Sequence, residues 1–93
     1  MEIEPRTKEK FQIFISRIPV FHRCLTEEAV IKKAEENARA RNSFQIEERD
    51  IIAAFFSDVP SPFYSMMVRL LEQTGFDYQK YGFPRAGNSQ RER

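Results

Sequence analysis

The chain has 93 residues, of which 41% are hydrophobic and 31% are charged, which is the profile of one small globular domain. Fifteen lysines and arginines face fourteen acidic residues, and the net charge of +1 lacks the strongly basic footprint that is typical of nucleic-acid-binding domains. Because the sequence has a single cysteine, no secretory signal pattern and no apolar run near the ~20 residues of a membrane span, it predicts a cytoplasmic protein without an intramolecular disulfide.

A first helix is predicted over residues 7–18, after a short frayed lead. Thr7 is a suitable N-cap, and apolar residues recur at the spacing of one helical face: Phe11, Phe14, Ile15 and Ile18. Pro19 disfavours the helical conformation in the residue before it, so the helix should end there. Pro19, Val20 and Phe21 are then expected to form a tight corner, with Phe21 anchored in the core.

A second helix is predicted over residues 22–41. Its apolar stripe contains small alanines that let another helix approach closely: Val30, Ile31, Ala34 and Ala38. Residues 42–46 interrupt this pattern. Phe44 and Ile46 alternate with polar residues, which predicts a short extended strap with Ile46 buried.

A third helix is predicted over residues 48–57 and a fourth from the Ser61-Pro62 start signal to about residue 74. Gly75 follows as the left-handed residue that ends the fourth helix, so that Phe76 can fold back on the last turn. We expect a single helical domain over residues 1–84. Residues 85–93 hold no large apolar side chain and are predicted to form a disordered tail.

The patterns of a catalytic or metal site are missing from the sequence. His22 and Cys24 are the single histidine and the single cysteine, and residues two apart on a helix do not face each other as base and nucleophile. A metal site needs three or four ligands at recognisable spacings, and a phosphate-binding loop needs clustered glycines. The sequence therefore predicts a protein that is not an enzyme and has no metal or cofactor. A redox-responsive module that uses Cys24 is one further hypothesis.

Residues 15–54 carry a pattern similar to a known family. The pattern is a proline corner between arginines, a helix ending in an Ala-Arg pair, an extended isoleucine and a short last helix: Arg17-Ile18-Pro19-Val20-Phe21-His22-Arg23, Ala38-Arg39, Ile46, and Ile51 to Ala54. It resembles the small C-terminal domain of light-independent protochlorophyllide reductase, which also occurs as short free-standing proteins. The resemblance implies a helical accessory module without the reductase chemistry. It marks a structural corner formed by Arg17, Pro19, Phe21 and Arg23.

Residues 26–54 also resemble a histone fold. A helix rich in alanine and charge precedes a short strap, and residues 46–51 open the terminal helix. In histones the strap carries an arginine and a threonine that meet DNA phosphates, whereas the matching positions here are Ser43 and Gln45. We therefore predict an all-α fold with a histone-like helix–strap–helix centre, a short N-terminal helix and an appended C-terminal helix. The alternative function is a small histone-like DNA-binding protein, with candidate contacts at Arg39, Arg41 and Arg49.

The third and fourth helices carry many large apolar side chains for so small a domain. Residues on opposite sides of one helix cannot all face one core, so either the fourth helix covers the excess or another chain does. The sequence predicts a non-enzymatic interaction or regulatory module that forms a homodimer or binds another protein. Nucleic-acid binding is expected to be weak. The predicted interface consists of Ile52, Phe55, Phe56, Phe63, Met66, Met67 and Leu70.

Overall fold

Four α-helices form most of the protein in the computed structural model, which describes residues 1–83. Helix α1 spans Pro5–Ser16, α2 spans Val20–Ala40, α3 spans Glu48–Asp58 and α4 spans Tyr64–Gln73. Short 3-10 turns cover Ser61–Phe63 and Tyr78–Tyr81, and two two-residue strands, β1 (Glu2–Ile3) and β2 (Gln45–Ile46), complete the elements. The predicted all-α fold is confirmed. The tail predicted at residues 85–93 lies outside the described residues.

Helix α1 begins two residues before the predicted N-cap, because Glu4 and not Thr7 caps it. The Thr7 hydroxyl donates to Glu4 Oε1 at 2.6 Å, and the Thr7 backbone N–H donates to the same oxygen at 3.1 Å. The hydroxyl bond first, and the backbone bond second, lower the pKa of the Glu4 carboxyl below its ordinary value. Pro5 takes the first helical position, where its missing N–H costs nothing.

An arginine closes the corner between α1 and α2. Arg23 donates from Nε to the Ile18 carbonyl at 2.9 Å and from Nη2 to the Ser16 carbonyl at 2.8 Å. Pro19 is the residue just before α2, so this helix starts earlier than predicted. The prediction that Phe21 anchors the corner in the core is wrong, since Phe21 is 76% exposed.

The phase of α2 explains the exposure of Phe21. Val30, Ala34 and Ala38 are the buried residues of this helix. Phe21 precedes Val30 by nine residues, which is a rotation of about 180° from the buried face on an α-helix. A helix that starts at Val20 therefore points Phe21 away from the core.

The strap after α2 is fixed by a pairing between distant parts of the chain. Strand β1 pairs with β2 in parallel, with Glu2 opposite Gln45 and Ile3 opposite Ile46, and the Glu4 N–H donates to the Ile46 carbonyl at 2.8 Å. Ile46 is fully buried, as predicted. The frayed lead predicted before α1 is wrong, because these hydrogen bonds hold the segment against the strap.

Asp50 joins the end of α2 to the start of α3. Its carboxylate is 1% exposed and accepts from Arg41 Nε at 2.9 Å, from Arg41 Nη2 at 2.6 Å and from the Glu47 N–H at 2.8 Å. The hydrogen bond to Asp50 is the main cause that raises the pKa of the Arg41 guanidinium above its ordinary value. The same Asp50–Glu47 contact completes a capping box at the start of α3.

The core lies between the C-terminal half of α2, helix α3 and the apolar face of α1. The Phe14 and Phe55 rings are in contact, with centroids 4.3 Å apart. After α4, Gly75 adopts φ +86°, and the Phe76 N–H donates to the Leu71 carbonyl at 2.9 Å. Phe76 is 3% exposed, which confirms the prediction that it folds back on this helix.

Candidate protein-interaction groove

The N-terminal half of α2 lies outside the core. Every residue from 20 to 29 is exposed or half-buried, whereas the buried residues of α2 all lie farther along the helix. Three large apolar side chains on this half are mostly exposed: Val20 by 69%, Phe21 by 76% and Leu25 by 71%. We call these three residues the α2 ridge.

An apolar groove runs beside the α2 ridge. The groove has a volume of about 530 Å³, with the first turns of α2 as one wall and the segment from residue 59 into α4 as the other. Among the described residues, its lining includes no aspartate, glutamate, lysine or arginine, so it favours an apolar occupant. The lining residues are Phe14, Ile18, Pro19, His22, Leu25, Thr26, Phe55, Val59, Pro60, Phe63, Met66, Met67 and Leu70.

The structure divides the predicted interface into two groups. Ile52, Phe55 and Met67 are at most 3% exposed and belong to the core, so their assignment to an interface is wrong. Phe56 is half-buried and sits in an internal aromatic cluster. Its ring stacks on that of Phe83, with centroids 4.7 Å apart. The reason is that α4 and the segment after it cover most of the apolar excess of α3.

The remaining predicted interface residues face the groove. Phe63 is 53% exposed, Met66 is 46% exposed, and Leu70 is half-buried on the same wall. The prediction missed the α2 ridge. The helical phase of α2 was a signal for it, because Phe21 lies opposite the alanine stripe whichever residue begins the helix.

The four corner residues have different roles. Arg23 bonds to the end of α1 as described above. Pro19 lines the groove, and Arg17 Nη1 lies 3.4 Å from the Gln73 Oε1 of α4. The corner therefore forms one end of the groove, and Phe21 projects from it.

The three arginines of the DNA-binding alternative each have a neighbour within the protein. Arg39 Nη2 lies 3.7 Å from Glu35, and the Arg49 guanidinium lies 5.6 Å from the Tyr81 ring centroid. Arg41 is held by the Asp50 carboxylate. A phosphate contact would have to compete with these neighbours, most strongly at Arg41.

Cys24 is exposed, and its environment disfavours the reactive thiolate. Its Sγ donates to Glu28 Oε2 at 3.6 Å, and the negative charge of Glu28 raises the pKa of the thiol. Since the thiolate is the nucleophilic form, this neighbour lowers its reactivity. Within residues 1–83 no group of three or more His, Cys, Asp or Glu is arranged to hold a metal ion, and no helix is long and apolar enough to cross a membrane.

Comparison with protein-family models, curated proteins and solved structures finds no match to this chain. The similarity to the protochlorophyllide reductase domain and to histone folds therefore remains a prediction drawn from the residues themselves.

Proposed function

We propose that this chain is a non-enzymatic helical interaction module of the cytoplasm whose docking surface is the apolar groove together with the α2 ridge. The observation that supports this most is the exposure of five large apolar side chains in one region: Val20, Phe21, Leu25, Phe63 and Met66. Together they expose on the order of 500–600 Å² of apolar surface, at the upper end of what a monomeric protein leaves uncovered.

The form of the groove indicates the kind of partner. Its walls are two helical segments and its lining is apolar, which suits the apolar face of a helix laid between them. Phe63, Met66 and Leu70 follow at three- and four-residue spacing, so they form a continuous wall for such a helix. The similarity of residues 15–54 to a helical accessory domain supports the same proposal.

The proposal is tested by photo-crosslinking from a phenylalanine of the groove in the native host. With p-benzoylphenylalanine in place of Phe63, we expect a crosslinked protein that mass spectrometry identifies and that disappears when Met66→Glu is added. Phe44 is the matched control, because it is 95% exposed and lies on the strap, outside the groove lining. Crosslinking at Phe63 that does not exceed crosslinking at Phe44 would contradict the proposed function.

A further inference from the structure

We propose that the partner of this groove is a second copy of the chain, with the α2 ridge of each copy inserted into the groove of the other across a two-fold axis. The inference rests on the proposed function and identifies its partner. It moves the centre of the predicted dimer from α3 and α4 to the groove between α2 and α4.

The first argument is that one patch carries both complementary shapes. A two-fold interface uses the same surface on both copies, so this surface must present a projection and a matching depression. Phe21 and Leu25 are one helical turn apart and project as an anchor pair of the kind that fills a helix-binding groove. Leu25 also lines the groove, so the projection and the depression are adjacent.

The second argument is the charge distribution along the ridge. Arg17 and Arg23 lie at its N-terminal end, and Glu27 and Glu28 lie at its C-terminal end. Within residues 1–83, neither Glu27 nor Glu28 has an ion-pair partner. When two such ridges cross antiparallel, the basic end of each meets the acidic end of the other, whereas a parallel arrangement sets like charges together. The charge distribution therefore favours an antiparallel second copy.

The third argument is the area of the patch. A standard interface buries about 800 Å² on each partner, and about 65% of a homodimer interface is apolar, which is roughly 500 Å² per copy. The exposed apolar surface of the ridge and groove is of this size. One chain therefore supplies enough apolar surface for a stable pair of copies.

The test uses one variant of the ridge, one of the groove, and their mixture. Phe21→Lys and Met66→Glu should each weaken dimerisation on the order of 30-fold or more, because each places a charge at the centre of an apolar contact. Sedimentation or light scattering at micromolar concentration should then find the 11.0 kDa chain where the wild type is dimeric. Phe44→Lys is the control, since it changes an equally exposed phenylalanine outside the groove and should leave the dimer unchanged.

An equal mixture of the two variants distinguishes reciprocal insertion from other dimers. In the mixed pair, one contact keeps Phe21 against Met66, and the other sets Lys against Glu, so the mixture should recover most of the dimer. A mixture that stays monomeric, or a dimer that persists in both single variants, would overturn reciprocal insertion.

A wild-type chain that stays monomeric as its concentration rises would overturn the second copy as partner. If Phe63 then crosslinks to a different protein, the interaction module stands with another occupant. If it crosslinks to nothing, the proposed function fails as well. Both substituted side chains are about half exposed or more, so circular dichroism should find each variant folded.

Discussion

Among single residues, Asp50 has the most consequential position. Its carboxylate is buried and accepts hydrogen bonds from Arg41 and Glu47, and its backbone carbonyl accepts from Asn37 Nδ2 at 3.1 Å. One residue therefore fixes the end of α2, the strap and the start of α3 relative to one another. A buried carboxylate is stable only while its partners are present, because its loss of hydration must be offset by hydrogen bonds.

Removing Arg41 should expose this dependence. We expect Arg41→Ala to lower the free energy of unfolding by about 2–4 kcal/mol, because it leaves a buried carboxylate without its cation. Lys33→Ala is the control. Its ion pair with Glu36, at 3.7 Å, joins two exposed side chains and should contribute less than about 0.5 kcal/mol. Urea denaturation measures both, and a loss below about 1 kcal/mol for Arg41→Ala would contradict the role given to Asp50.

At the scale of elements, local sequence signals predicted which helices exist, and non-local contacts decided what the sequence could not. The start of α3 and the left-handed Gly75 follow from nearby residues, so their prediction was accurate. The pairing of β1 with β2 joins segments more than forty residues apart and leaves no local periodicity. The exposure of Phe21 likewise depends on where α2 begins and on how that helix packs.

The candidate site was predicted in part for the same reason. An apolar residue on α4 indicates a buried or a binding position, and only the packing of α4 separates the two. Adjacent Met66 and Met67 illustrate this, since Met66 is 46% exposed in the groove and Met67 is 3% exposed in the core. The sequence could therefore identify the segment but not divide its residues between core and surface.

The corner between α1 and α2 gives a prediction at this scale. We expect Arg23→Ala to cost about 1–2 kcal/mol, since two carbonyls at the end of α1 lose a charged donor. Phe21→Ala should cost less than about 0.5 kcal/mol in the monomer, because the ring is mostly exposed. Thermal or urea melts at concentrations too low for association compare the two. The reverse order of effects would mean that an aromatic anchor, and not Arg23, holds this corner.

For the whole molecule, the distribution of charge argues against DNA as a principal partner. The net charge is +1, and the candidate arginines are engaged by Glu35, Asp50 and Tyr81. Phosphate neutralisation supplies most non-specific affinity for DNA, and each such contact here must first displace a neighbour.

Fluorescence anisotropy with a labelled DNA duplex tests this expectation. At physiological salt we expect a dissociation constant weaker than about 10 μM, within or near the range of non-specific binding. Arg39→Ala should change it little. Sub-micromolar binding with a steep dependence on salt would instead support the histone-like alternative, with Arg39 and Arg49 as the first contacts to examine.

The position of residues 20–29 outside the core has a consequence for hydrogen exchange. Amides of residues 30–40 are packed against α3 and should exchange only through large-scale unfolding, whereas amides earlier in the same continuous helix can exchange by local opening. One helix should therefore show two levels of protection. If docking covers the α2 ridge, the faster half should slow to match the other. Part of the ordering of α2 is then completed by the partner, which makes the binding free energy depend on the helix propensity of residues that the partner never touches.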